Sequence, residues 1–292
     1  MSAGKTTFGR KCFLAVNACL ILALSAVTLY PFLYVLAASL SDRMFIMRGS
    51  VSIIPQGFNT YAYQNVFEYP YLWRSYGNTV LYMVIGTAVN MLLTVLGAYP
   101  LSRRQFAGRR ALSFLLVFTM WFNAGMIPTF LVVRGVHLYN TVWAMILPGA
   151  ISTYNLIVVR TFFDNLPVEM EEAALIDGCN DWQALMKIIL PLSVPVLMTI
   201  TLFYMVGHWN SFMPALMYLR SKELYPLQMI LREIVLQSLV DEENLEGGAN
   251  EQVLAESVKY ATIIVATVPI LCVYPFIQRY FVTGVMIGAV KG

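Results

Sequence analysis

Six stretches of the chain lack any charged residue, and this pattern predicts an integral membrane protein. They cover residues 12–41, 75–102, 111–133, 138–159, 188–219 and 260–278. Each has about 20 residues or more, which is the length of an α-helix that crosses a ~30 Å hydrocarbon core. Within lipid, only a helix satisfies its own backbone polar groups in one segment. We therefore predict one all-α transmembrane domain over residues 1–292, with helices near residues 13–39, 77–101, 111–133, 139–160, 192–219 and 260–280.

Composition supports this prediction and excludes other classes of protein. Hydrophobic residues make up 59% of the chain and charged residues 12%, against about 25% charged in soluble domains. A net charge of +3 is too small to indicate a nucleic-acid partner. The first stretch follows a basic start and could be a signal peptide, but it is far longer than the 7–15 apolar residues typical of one, so we predict a retained helix. The four cysteines and two histidines show no metal-binding spacing.

Four arginines set the predicted orientation. Arg103, Arg104, Arg109 and Arg110 lie in one short connection, and short loops rich in Lys and Arg remain in the cytoplasm. With six crossings, both termini are then cytoplasmic. The same count predicts a cytoplasmic loop at residues 163–191 and an extracytoplasmic loop at residues 220–259. That outer loop has an acidic segment at residues 241–256.

The cytoplasmic loop has the pattern of a helix, a turn and a second helix. Gly178 is suited to end the first helix because glycine readily adopts the left-handed cap conformation. Asn180 can cap the second helix, with Gln183 as its capping-box partner. Pro191 and Pro195 are then expected to bend the chain back toward the membrane. A purely interfacial hairpin would carry basic residues on its polar face, whereas this segment is acidic, which favours docking on another protein.

The motif Glu172-Ala-Ala-x-x-Asp177-Gly178, followed by Leu190-Pro191, resembles the EAA coupling motif of ABC-importer permeases. Further short runs resemble the maltose-type carbohydrate permeases, and within them the subgroup of lipoprotein-associated and polygalacturonan-oligosaccharide permeases. These runs include Gly125-Met-Ile-Pro128, Trp209-Asn210 and Tyr274-Pro275-Phe276.

The resemblance implies a type I ABC importer permease in the bacterial cytoplasmic membrane, carrying sugars and in particular oligosaccharides. It implies a heterodimer with a second homologous permease, two ATPase subunits and an extracytoplasmic solute-binding protein. The chain has no phosphate-binding loop, so it is expected to have no catalytic site, no metal and no cofactor, with ATP and Mg²⁺ bound by the ATPase. The residues that would couple to that ATPase are Glu172, Ala173, Ala174, Asp177, Gly178 and Pro191.

Polar and aromatic side chains on the apolar helices are candidates for the substrate path, because such groups face a bundle interior or a cavity. The candidates are Ser152, Tyr154, Asn155, Tyr204, His208, Trp209, Asn210 and Ser211, together with Asn123 on the third helix. Spacings of three and four place Tyr204, His208 and Ser211 on one helical face. Each candidate can equally hold neighbouring helices together.

Two other functions remain as alternatives at this point. The chain could be an ABC permease for a solute other than a sugar. An ion-coupled secondary transporter would require charged groups within the membrane, and the six stretches contain none. An intramembrane enzyme is disfavoured because no catalytic motif is present.

Overall fold

The computed structural model describes residues 8–122, 124–167, 169–170, 176, 178–244, 257–272 and 275. This described part of the chain is α-helical and contains no β-strand. It divides into two compact units. Unit 1 comprises Met1–Pro70 and Leu231–Thr267, and unit 2 comprises Tyr71–Ile230 and Val268–Gly292.

Unit 1 begins with a long apolar helix, α1 (Phe8–Ser39), followed by the short helices α2 (Arg43–Met47) and α3 (Tyr61–Glu68). Most of α1 is exposed, and its apolar side chains become buried only near its end, where Ala37 and Ala38 pack against residues of and after α2. The hydroxyl groups of Ser39 and Tyr63 share a hydrogen bond of 2.8 Å. This bond joins the end of α1 to α3.

Unit 2 is organised around one long helix. The helices of this part of the chain are α4 (Leu72–Ser102), α5 (Arg109–Trp121), α6 (Met126–Gly135), α7 (Thr153–Asp164), α8 (Asp181–Leu192), α9 (Val194–Trp209) and α10 (Phe212–Tyr218). Two more helices follow, α11 (Leu227–Asn244) and α12 (Ser257–Cys272), and a boundary between the two units falls within each of them. Helix α4 packs against α7 and α9.

Small and polar residues form the buried stripe of α4 that allows this close packing. They recur at spacings of three and four, so they share one face of the helix. Small side chains let membrane helices approach closely, and polar ones bond across the interface. The buried members of the stripe are Ser75, Thr79, Gly86, Asn90, Thr94, Ala98 and Ser102.

Three predicted helices are interrupted. The segment 139–160 does not form one helix, because it contains a 3-10 turn at Val142–Met145, further turns and only then α7. Asn140 adopts a left-handed backbone with φ 58°, which a continuous helix does not permit. The segment 111–133 is divided by the break before Gly125, which has φ 84°. The segment 192–219 is divided between α9 and α10.

The described helices provide fewer clear spans than the six predicted. Two of them, α1 and α4, are long and apolar enough to cross a membrane, and up to four spans result if the bent pairs α5–α6 and α8–α9 each count as one. Helix α12 is apolar but shorter within its described range. The predicted outer loop 220–259 contains α11, and its extracytoplasmic position remains a prediction. Much of its acidic segment lies outside the described residues.

Candidate functional site

A ladder of polar side chains joins α4 to α9 in the core of unit 2. The His208 Nε2 atom and the Asn90 Oδ1 atom lie 2.7 Å apart, and the hydroxyl groups of Thr94 and Tyr204 share a hydrogen bond of 2.8 Å. Both residues on each helix are four apart, so they lie one turn above each other on the same face. The order of pairing, 90 with 208 and 94 with 204, shows that the two helices run antiparallel.

The ladder also holds the segment that precedes α7. The Asn90 Nδ2 group donates hydrogen bonds to the carbonyl oxygens of Gly149 (3.1 Å) and Ala150 (2.8 Å). The backbone N–H of Ser152 donates to the Tyr204 hydroxyl at 3.1 Å. Asn90 and Tyr204 therefore satisfy backbone groups of this segment, of which the Ala150 carbonyl is buried.

Close approach of the two helices at this ladder depends on Gly86, one turn before Asn90. A Cβ atom at position 86 would overlap the imidazole ring of His208, with its Cδ2 atom only 2.9 Å away. On α4, one small residue of the stripe thus makes room for α9, and the polar residues that follow it form hydrogen bonds to α9. Sequence reasoning identified His208 and Tyr204 but did not identify Thr94 or Gly86. Their signal was the four-residue spacing of small and polar residues along the second charge-free stretch.

The structure brings only some of the predicted path residues together. Tyr204 and His208 take part in the ladder, and Ser152 caps α7 by accepting the N–H of Asn155 at 3.4 Å. Asn155 is itself buried. These residues contact protein groups in this structure, and a role in lining a path remains a prediction for them.

The remaining candidates are dispersed. Trp209 is buried beside the ring of Tyr76, with 6.4 Å between ring centroids. Asn210 is exposed and its Nδ2 group donates to the Val206 carbonyl of its own helix. Ser211 is buried and its hydroxyl has no hydrogen-bond partner among the described residues. Tyr154 is exposed, and Asn123 lies outside the described residues.

Two positions of the predicted coupling loop 163–191 are tied to the end of α4 and the start of α5. Arg109 donates from one Nη atom to the two carboxylate oxygens of Asp164, at 3.0 and 3.1 Å, and from Nε to the Leu101 carbonyl. Further along the loop, the Tyr99 hydroxyl donates to the Asp181 carbonyl at 3.0 Å. The end of α4 and the start of α5 therefore hold two residues of the loop, Asp164 and Asp181, that are 17 positions apart in sequence.

Local geometry within this loop follows the sequence prediction where the residues are described. Gly178 has φ +80°, and Asn180 forms a complete capping box with Gln183. Pro191 is exposed near the end of α8. The residues Glu172, Ala173, Ala174 and Asp177 lie outside the described part of the chain, and their coupling role remains a prediction.

A sharp bend joins α8 to the ladder helix. Helix α8 contains a π-helical turn at Leu185–Ile189, and its axis meets that of α9 at 82° across Ser193. Leu185 and Ile189 are buried in the same apolar cluster as Tyr99 and Tyr204. Only Ser193 separates α8 from α9 in sequence.

At the opposite end of α4, two asparagine side chains fasten the connection that follows α10. The Oδ1 atom of Asn140 accepts the backbone N–H groups of Arg220 and Ser221, both at 2.9 Å. The Asn78 Nδ2 group donates to the carbonyls of Glu223 and Tyr225. The far end of α4 is thus a second anchoring point, remote from the coupling loop.

The sequence of this chain is similar to those of known proteins. The family described as "Binding-protein-dependent transport system inner membrane component" matches residues 90–287. The chain is 44% identical over 273 residues to the polygalacturonan/rhamnogalacturonan transport system permease protein YtcP of Bacillus subtilis, covering 93% of this chain and 96% of that protein. It is 44% identical over 267 residues to the protein LplC of the same organism, covering 91% and 90% of the two chains.

A solved structure agrees with these relatives. It is the crystal structure of a bacterial ABC transporter involved in the import of the acidic polysaccharide alginate, with a TM-score of 0.84 and 34% sequence identity. The match covers 96% of this chain and 100% of that chain. With a family match over more than half its length and two relatives at 44% identity, the chain belongs to the inner-membrane permease components of binding-protein-dependent transport systems.

Proposed function

We propose that this chain is the permease subunit of an ATP-driven importer of oligosaccharides, and that residues 164–181 transmit the motion of a separate ATPase to the translocation path. The observation that carries this proposal is the double anchoring of that segment, through Asp164 on Arg109 and through Asp181 on Tyr99. A segment held at both ends cannot move without moving the helices that hold it.

The proposed path of this motion is continuous. The motif Glu172–Gly178 would dock in the ATPase, with Ala173 and Ala174 permitting close contact and Gly178 forming the turn. Helix α8 would receive the displacement, because it starts at Asp181 and packs through Leu185 and Ile189 into the core. The bend at Ser193 would then pass it to α9 and the ladder. Two arrangements of α9 against α4 would supply inward-open and outward-open states.

We further propose that the chain crosses the membrane six times as one domain, with both termini in the cytoplasm. The contact between Arg109 and Asp164 supports this orientation, since it draws the arginine-rich connection and the coupling loop to the same side. The anchors around Asn140 and Ser221 lie at the other end of α4 and suit the extracytoplasmic side. The additional spans would come from the broken segments and from the predicted helix 260–280, whose described part belongs to α12.

The partners follow from this arrangement. A second, homologous permease would complete the translocation path, and two ATPase subunits would bind and hydrolyse ATP with Mg²⁺ on the cytoplasmic side. An extracytoplasmic binding protein would deliver the substrate. No residue of this chain is assigned a catalytic role.

The substrate class rests on the relatives. One is named for transport of polygalacturonan and rhamnogalacturonan, and the similar solved transporter imports alginate. Another relative, 28% identical, is named an arabinooligosaccharide permease. We therefore propose oligosaccharides as substrate, with uronate-containing chains as the first to test.

The coupling step is tested by two single substitutions in the motif. Gly178→Asp and Glu172→Lys are expected to abolish oligosaccharide uptake while the amount of permease in the membrane is unchanged. At position 178 the backbone is left-handed, so a side chain adds strain of roughly 1–2 kcal/mol. Glu223→Lys is the matched control, because Glu223 is exposed at the far end of α4 and its ion pair with Arg74 contributes little. Normal uptake in the motif variants would refute the proposal.

A further inference from the structure

An open cavity lined by arginines lies between the start of α5 and α7. Its volume is about 930 Å³, and its basic lining residues are Arg104, Arg109, Arg110 and Arg160. Phe106, Gly108, Ala111 and Ser113 complete the lining. None of these lining residues is acidic, so among the described residues the site concentrates positive charge.

The acidic group that faces this cluster neutralises only part of it. Asp164 contacts Arg109 at 3.0 Å and Arg160 at 3.6 Å, and Arg160 also donates to the Ser113 hydroxyl at 2.8 Å. Arg104 and Arg110 are exposed and form no ion pair with any residue that the structure describes. Within the part of the chain that the structure describes, Arg104 and Arg110 thus present two guanidinium groups without an ion pair. Guanidinium groups pair with phosphate in a planar, bidentate manner.

The backbone at the cavity adds to its affinity for anions. Helix α5 starts at Arg109 after Gly108, with no side-chain cap and no acidic residue in its first turn. The N–H of Arg109 donates to the Phe106 carbonyl at 3.2 Å. The other first N–H groups of a helix have no intrahelical acceptor, and they favour a phosphate oxygen. The guanidinium groups and the helix start converge on the same space.

The surface that continues from the cavity is apolar. Helix α5 buries none of its residues, and Leu112, Phe114, Leu115 and Phe118 are all exposed. The charge-free stretch begins at Ala111, directly after the last arginine of the cavity. An anion-binding site that meets an exposed apolar helix within one turn matches a molecule with a phosphate head and hydrocarbon chains.

We propose that this cavity binds the phosphate head group of an anionic phospholipid, whose acyl chains lie along α5. Basic pockets at the cytoplasmic ends of membrane helices recognise such head groups. The bound lipid would sit beside the Arg109–Asp164 contact that anchors the coupling segment. The inference rests on the membrane placement proposed above, but lipid binding is measured independently of transport.

The test is native mass spectrometry of the complete transporter complex, delipidated and then titrated with phosphatidylglycerol or phosphatidylcholine. The double variant Arg104→Gln with Arg110→Gln spares both contacts of Asp164. We expect it to weaken phosphatidylglycerol binding about tenfold or more, since each basic residue near an anionic surface adds substantially to affinity. The matched control is Arg48→Gln with Arg134→Gln, two exposed arginines outside the cavity, and it should bind as the wild type does.

Each other outcome overturns the proposal. Equal retention of phosphatidylglycerol by both double variants would place the lipid elsewhere. Equal binding of phosphatidylcholine would show that the arginines are not recognising an anionic head group. Displacement of the lipid by millimolar inorganic phosphate would identify a soluble-anion site. Retention of lipid only after the ATPase is removed would identify the cavity as a protein contact. None of these results depends on whether the complex transports oligosaccharides.

Discussion

Substitution of Gly86 by alanine tests the ladder between α4 and α9. Alanine favours a helix over glycine by about 1 kcal/mol, so helix propensity alone predicts a stabilised protein. The added Cβ would, however, overlap the His208 ring. Overpacking costs about 1–3 kcal/mol, and displacing the ring also breaks its bond to Asn90, which is worth about 0.6 kcal/mol in membrane proteins. The sum is a net destabilisation of about 0.5–2.5 kcal/mol.

The measurement is the free energy of unfolding of the purified permease in mixed micelles, for Gly86→Ala, His208→Ala and the double variant. Removing the ring removes the clash, so Gly86→Ala should become neutral or stabilising in the His208→Ala background. We expect non-additivity of at least about 1 kcal/mol. Gly77→Ala on the same helix is the control, because nothing lies within 4 Å of a Cβ there. If Gly86→Ala behaves like Gly77→Ala in both backgrounds, the ladder does not set the helix spacing.

Two further variants separate packing from function. Tyr204→Phe removes the bonds to Thr94 and to the Ser152 N–H. We expect the free energy of unfolding to fall by about 1–2 kcal/mol and the KM for uptake to stay unchanged. A raised KM at unchanged stability would instead assign Tyr204 to the substrate path. Asp164→Asn weakens a partly exposed pair with Arg109 and should cost under about 1 kcal/mol of stability, yet it should lower uptake per ATP hydrolysed because the coupling segment loses one anchor. Unchanged coupling in Asp164→Asn would contradict the anchoring role.

Local sequence rules predicted the elements whose cause is local. The capping box of Asn180 and Gln183 depends on residues three apart, and the left-handed turn at Gly178 depends on one residue. Both were predictable because no distant contact is required to form them. The long apolar helices α1 and α4 were likewise predictable from hydropathy alone.

The interruptions were less accessible to sequence reasoning. A charge-free run indicates transfer into an apolar environment, but it does not distinguish one helix from two joined by turns. At the start of the segment 139–160, Asn140 bonds to the connection after α10, a contact between residues about 80 positions apart. Hydropathy cannot register such a bond, since it averages over neighbours along the chain.

For the candidate site, the sequence by itself determined the polar residue types on apolar helices, the arginine-rich connection and the coupling motif. Only the tertiary structure decided their partners. It paired Tyr204 and His208 with Thr94 and Asn90 rather than leaving them free. It also placed Arg109 on Asp164 at the start of the coupling segment. The physical reason is that a buried polar group must find a partner, and which partner it finds depends on how the helices cross.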